Sequence, residues 1–259
     1  MLRNLREIYQ YRGLLLSLIQ RELKARYRGS VLGFLWTFLN PTLQMFVYTL
    51  LFSVYMRQQI EHYAFFMFIG LLPWIWFSSS VSAGSSSISD RRDLLTKVRF
   101  PAQVLPATVV ATNLCNFVLS VPLLIGLGLF LGHYPSWHIV LFPVVMFVQL
   151  CVTLALVYLL SAINVTFRDL QQIVGNLLTM WFFVTPIFYR VTTIPEQIRD
   201  LMVLANPMAV MVTSYQSIFY DHQLPAAGPL AMWMGIAAVL LWMASELFER
   251  RREDFAEVV

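Results

Sequence analysis

Sixty-eight consecutive residues, 100–167, contain no Asp, Glu, Lys or Arg. A water-soluble fold needs a charged rim, and a stretch that long has none to offer it. A membrane accepts it readily. About 20 apolar residues carry a helix across the hydrocarbon layer, so this stretch has room for two crossings, broken at the Gly132-His133-Tyr134-Pro135-Ser136-Trp137-His138 run. The uncharged stretches 31–56, 62–89, 170–189 and 222–245 each have room for one more. Composition agrees, with 12% charged residues and 58% hydrophobic ones, where a soluble domain has about 25% charged. Disorder and fibrous folds are excluded on the same ground. A disulfide scaffold is excluded because Cys115 and Cys151 both lie in apolar runs, where reduced, buried thiols are expected. The long unbroken runs also exclude the alternating strands of a membrane β-barrel. The sequence therefore predicts an all-α polytopic membrane protein.

Charge bias sets the number of crossings. Of 18 basic residues, 15 fall before the first span, in the linker after the second, in the turn after the fourth, or in the tail. All 15 share the cytoplasmic face only if the chain crosses an even number of times. Arg57, Arg190 and Arg199 remain for the other side. The stretch 201–220 is also uncharged but contains Asn206-Pro207 and a polar run, so 194–220 is expected to dip into the outer leaflet and return. Six transmembrane helices follow, at about 31–56, 62–89, 102–131, 139–167, 170–189 and 224–246, within a transmembrane domain of 31–249. Residues 90–100 form a cytoplasmic linker and 190–223 an outer re-entrant segment. The tail, 250–259, is cytoplasmic, as is the start. Residues 1–30 carry seven basic residues and no small-residue cleavage site, so they are not expected to be a signal peptide. Leu14, Leu15, Leu18 and Ile19 on one side, with Arg21, Lys24 and Arg28 on another, predict an N-terminal amphipathic interface helix.

The chain shows no catalytic constellation. It lacks a G-x-x-x-x-G-K-[ST] loop, and none of its 14 acidic residues lies in the interior of a span, Glu246 standing at the very end of the last, which speaks against a proton relay. The four histidines, His62, His133, His138 and His222, fall beside outer loops. A metal site there would need carboxylate or thiolate company, so ordinary interface histidines are expected. Tyr63, like Trp36, Tyr55, Tyr134, Trp137 and Tyr189, is expected at a membrane surface. Trp74, Trp76 and Trp181 fall near mid-bilayer, where either helix packing or a passage lined with flat aromatic faces accounts for them. Asn40 and Gln44 sit at i, i+4 on the first span, and Asn113 and Asn116 at i, i+3 on the third. Eight serines crowd 78–89, as small residues do where helices approach closely.

Several segments in order resemble one family, the type-2 ABC exporter permeases for polysaccharides. They are the run from Arg21 to Trp36 followed by Asn40-Pro41; Leu94-Leu-Thr-Lys-Val-Arg-Phe-Pro101; Asn164-Val-Thr-Phe-Arg168-Asp169-Leu170; and Thr185-Pro186 with Asn206-Pro207. The resemblance implies a permease subunit that exports a lipid-linked polysaccharide, O-antigen-like, across the bacterial inner membrane through a channel at a homodimer axis. It implies no cofactor in this chain, because ATP and Mg belong on two copies of a separate ATP-binding subunit. It places ATPase coupling at Arg91, Arg92, Lys97, Val98, Arg99 and Phe100. Channel lining falls to Phe34, Phe38, Asn40 and Gln44 toward the cytoplasm, Trp74, Trp76 and Trp181 in the middle, and Phe188 and Tyr189 at the exit. Asn206 and Pro207 form the outer gate. A drug or small-lipid exporter is the alternative within transport. A membrane-embedded glycan-modifying enzyme is the alternative outside it, and would need acids or histidines converging at one membrane face.

Overall fold

The computed structural model describes residues 9–26, 28–91, 100–167 and 169–250, and among them every regular element is helical. The first is α1 (Arg12–Arg26), which lies along the second of the long helices below. It turns Leu18 inward and leaves Arg21 and Lys24 exposed, as its sequence pattern requires.

Among the described residues, four helices have the length and apolar composition to cross a membrane. They are α3 (Tyr63–Ser85), α4 (Val104–Phe130), α5 (Phe142–Asn164, with a 3₁₀ lead-in from Trp137) and α9 (Ala227–Arg250). The 27 residues of α4 reach about 40 Å at ~1.5 Å per residue. Helix α3 is the centre of the bundle: 78% of its most apolar window is buried, against 17% for α9. A helix that is apolar all round belongs inside, and α3 is covered by α4, α5 and their neighbours. Helix α9 packs almost wholly on α5. Gly84 lets α3 and α5 approach closely, since a Cβ there would stand 2.5 Å from Val157 Cγ1.

The other uncharged stretches give shorter pieces. Helix α2 (Trp36–Thr49) contains Pro41 and continues as a π-helical segment, Leu50–Tyr55. Helix α6 (Leu170–Val184) has 15 residues, about 22 Å. It stops because Thr185 is extended, the conformation that a following proline imposes. Then α7 (Glu196–Ala205) and α8 (Pro207–Phe219) meet at a 105° bend, the shape of a broken span or a re-entrant loop. Six spans were expected from the charge gaps, and the helices reach four, or five with the bent pair taken as one span. The difference is physical. A charge-free stretch bounds a helix from outside, while the π-helical segment after Thr49 and the extended Thr185 before Pro186 end the α-helices within it.

Candidate translocation site

On α3, Trp74 and Trp76 are two residues apart and so point about 200° apart around the axis. They serve different sites. Trp74 belongs to an aromatic cluster with α6: its ring lies 6.5 Å from Trp181 and 5.5 Å from Phe182, and Phe77 lies 5.2 Å from Trp181. Phe188 extends the cluster, 4.7 Å from Phe182 and stacked on Phe52 of the π-helical segment at 4.5 Å. Trp74 and Phe188 are buried, while Trp181 and Tyr189 are half-buried. The Tyr189 hydroxyl donates to the Val184 carbonyl, 2.9 Å. Tyr63, expected at a membrane surface, is enclosed instead. Its hydroxyl finds the Phe188 carbonyl at 3.0 Å, which gives a buried tyrosine the partner it needs.

Trp76 faces the other way and stacks on Phe117 of α4, centroids 5.1 Å apart. It walls a cleft of about 510 Å³ whose polar residues come from three helices. Asn40 and Gln44 are on α2, and Asn113 and Asn116 on α4. Arg26 at the end of α1 donates from Nη2 to Asn113 Oδ1, 3.2 Å. Phe34, Asn40 and Gln44 are exposed on the chain and Phe38 is half-buried. The sequence pattern pointed to these amide pairs separately. It gave no reason for the two pairs to meet, and it missed Trp36 and Arg26 as parts of the same wall. The signal was there: polar residues recurring every third or fourth position on otherwise apolar helices.

The bend between α7 and α8 is built on Asn206, which is buried. Its Oδ1 accepts from the Ala209 backbone N–H at 3.1 Å, capping α8, and from Trp181 Nε1 at 2.8 Å. Its Nδ2 donates to Thr185 Oγ1 at 3.3 Å. Pro207 takes the first position of α8, where a missing N–H costs nothing. Gln216 donates from Nε2 to the Pro186 carbonyl, 3.0 Å, and binds α8 to the end of α6. Beside the bend, a second cavity of about 620 Å³ lies between α5, α6 and α7. Its walls are almost wholly hydrocarbon, Leu156, Leu178 and Met202 among them, a lining suited to an alkyl chain.

At the other end of α3, Arg91 is paired with Glu22 of α1, and Ser86 Oγ donates to Asp90 Oδ2 at 2.7 Å. Phe100 is half-buried. Arg92, Lys97, Val98 and Arg99 lie outside the described residues. Ser78, Ser80, Ser85 and Ser87 return their hydroxyls to the preceding turn, Ser80 to the Trp76 carbonyl at 2.7 Å. They are close-packing residues.

Three of the four histidines converge. His133 stacks on Tyr220 at 5.1 Å, with His62 edge-on at 5.1 Å and His222 at 6.4 Å. Burial pushes His133 below its ordinary value, and the neighbouring His62 and His222 push the same way against Glu61. Among the described residues no group of His, Cys, Asp or Glu is arranged to hold a metal ion. Nearby, Arg190 pairs with Asp221 at 3.1 Å and lies over the Tyr220 ring at 5.0 Å.

Long apolar helices around a buried central one, with an amide-lined cleft and an aromatic cluster on its two sides, define a multi-pass membrane protein. Residues 13–220 match the ABC-2 type transporter family, and the chain belongs to it. It is similar over its whole length, at 67% identity and 100% of both chains, to the O-antigen export system permease protein RfbA of Myxococcus xanthus. It is 30% identical to the protein of the same name from Klebsiella pneumoniae, over 95% of each chain. It is 24% identical to the polysialic acid transport protein KpsM of Escherichia coli, over 92% of this chain and 93% of that one.

Proposed function

We propose that this chain is the membrane permease of an ATP-driven exporter that moves a lipid-linked, O-antigen-like polysaccharide across the bacterial inner membrane. The observation that carries the reading is the 67% identity, end to end, with an O-antigen export permease. In this reading the chain works as a homodimer with two copies of a separate ATP-binding subunit, which holds ATP and Mg. It crosses the membrane six times with both termini cytoplasmic, α2 and α6 supplying the two shorter crossings.

The channel lies at the homodimer axis. Two observations support that position. Helices α2 and α6 leave apolar faces uncovered, with Phe46 and Val54 on one side and Met180 and Phe183 on the other. The exposed Phe34, Asn40 and Gln44 belong to the cytoplasmic mouth, with Phe38. Trp181 of α6 and Tyr189 beyond its end reach the passage, and Trp74 and Phe188 reach it when the helices part; Trp76, on the opposite face of α3, reaches the cleft beside Phe117 instead. Aromatic faces suit a sugar polymer because each contact is weak, about 1 kcal/mol, and has little positional preference. The apolar cavity beside α7 suits the lipid end of the same substrate. Asn206 and Pro207 form the hinge of an outer gate made from α7 and α8. Segment 91–100 docks on the ATPase.

A drug or small-lipid exporter would need neither the amides nor the rings. A glycan-modifying enzyme would need converging acids, and the convergence among the described residues is of histidines packed on rings. Deleting the chain in its own cells tests the reading. Undecorated lipid-linked glycan should accumulate on the cytoplasmic leaflet, and surface polysaccharide should return only when the chain is restored. Normal surface polysaccharide in the deletion strain would overturn it.

A further inference from the structure

The amide-lined cleft behind Trp76 has a chemistry of its own. Helix α2 presents Trp36, Asn40 and Gln44 at every fourth residue. Helix α4 presents Asn113, Asn116 and Phe117 at i, i+3 and i+4, and both stripes face the same space. Such spacing puts each set on a single helix face. A polar stripe inside an apolar helix is placed against protein or a wet cavity, never against lipid.

A purely structural polar cluster closes on itself, donor to acceptor. This one does not. Trp36 Nε1 donates to Ser30 Oγ at 3.1 Å, and Asn113 accepts from Arg26. Trp76 Nε1 and both side-chain amide atoms of Asn116 are shielded and have no partner among the described residues. Unpaired and closed off, these atoms meet a ligand in the cleft only once their side chains turn toward it, the rearrangement that unsatisfied buried groups point to.

The wall also selects the ligand class. Primary amides offer a donor and an acceptor each, which matches hydroxyl groups rather than ions. Among the described residues no carboxylate lines the cleft and Arg26 is its one cation. Arg26 also borders a neighbouring cavity with Glu22, Asp90 and Arg91, where two positive and two negative groups balance, so the local field does not favour an anion. The rings of Trp36, Trp76 and Phe117 add apolar faces for C–H groups. A volume of about 510 Å³ falls within the range of about 300–1,000 Å³ usual for small-molecule sites.

We propose that this cleft is a glycan subsite, which holds a neutral pyranose unit of the exported chain inside each protomer, at the end of the bundle where α1 docks. Its lining comes from α1, α2, α3 and α4 of one chain, with Ser30 between α1 and α2, and it opens where Asn40 and Gln44 are exposed. The inference rests on the glycan reading above and adds a place where a sugar is held rather than merely passed.

The test is photo-crosslinking in membranes that carry the full chain and its ATPase partner. A Ser79→p-benzoylphenylalanine variant puts the probe on the cleft wall, and the same residue at Phe130, 86% exposed, serves as the control. Membranes come from cells that make the glycan and from cells that lack its first sugar transferase. The Ser79 adduct should carry periodate-staining glycan only in the first, with none at Phe130. Adding Asn116→Leu should cut the adduct about fivefold, the loss expected for one hydrogen bond. Trp76→Phe, which keeps the ring and removes the N–H, gives the same reading should Asn116→Leu lower protein yield. Adducts with phospholipid alone, no adduct, or glycan yield indifferent to both variants would overturn the subsite. If the deletion test succeeds while the Ser79 adduct carries no glycan, the subsite fails and the exporter stands. If the deletion test fails, both do.

Discussion

Asn206 holds the bend between α7 and α8 with one side chain, so replacing it should release the bend. Asn206→Leu keeps the volume and the burial but removes three hydrogen bonds. Losing the cap on α8 costs about 1 kcal/mol. Leaving the Trp181 indole N–H unpaired costs about 1–3 kcal/mol by the rule for buried donors, but interhelical bonds in membranes average nearer ~0.6 kcal/mol. With Trp181 half-buried, the lower figure applies. With ~0.6 kcal/mol more for the bond to Thr185, the total is about 2 kcal/mol, which shifts the population of the bent arrangement about thirtyfold. The assay is reversible unfolding in mixed micelles, run as a double-mutant cycle with Trp181→Phe. The double variant should be less destabilised than the sum of the singles by about 0.5–1.5 kcal/mol. Surface polysaccharide should fall several-fold in Asn206→Leu at equal protein level. Additivity within ~0.3 kcal/mol, or wild-type stability for Asn206→Leu, would refute the hinge.

Gly84→Leu should push α3 from α5, because even a Cβ there meets Val157 at 2.5 Å. A loss of about 1–3 kcal/mol or more in the same micelle assay is expected, and wild-type stability would contradict the close approach. The outer histidine cluster should respond to pH. His133 is held below its ordinary value of 6.5, by burial first and then by His62 and His222, so the unfolded chain takes up the proton more readily. Its contribution is present above about pH 6.5 and is lost as pH falls through the lower folded value. Thermal stability between about pH 7.5 and about pH 5 should therefore drop more steeply in the wild type than in His133→Gln, and parallel profiles would contradict it. Reversing charge in the proposed docking segment, Lys97→Glu with Arg99→Glu, should uncouple ATP hydrolysis from export while the protein stays inserted, and unchanged export would sink that assignment.

Charge-free length located the long helices well because excluding charge is a requirement of the membrane itself. Helices α3, α4 and α5 fall inside the expected spans 62–89, 102–131 and 139–167, while α9 starts inside 224–246 and runs past its end to Arg250. The same signal says nothing about where a helix breaks within the bilayer. The π-helical segment at Leu50–Tyr55 follows an unremarkable run of apolar residues, and no local pattern announces it. Rotation about a helix was legible too, though only from helix period rather than depth. Grouping Trp74 with Trp76 by depth joined residues on opposite faces, while the period separates them. The convergence of His62, His133 and His222 was not legible, since each sits in a different loop and only the packing of α3, α4 and α8 brings the loops together. The bend was half-legible: Asn206-Pro207 marks a helix start, but the Trp181 bond that holds it crosses 25 positions of sequence.

The most direct measurement of the central claim is reconstitution. The chain and its ATP-binding partner, placed together in proteoliposomes with lipid-linked polysaccharide on the outer leaflet, should move the glycan inward when ATP and Mg are added outside. A fluorescent lectin in the lumen reports arrival. A rise in lumenal lectin signal that requires ATP, this chain and the partner together is the expected result. A signal that persists without the chain, or its absence in vesicles that hydrolyse ATP with both subunits and substrate present, would contradict the assignment of this chain as the polysaccharide's path.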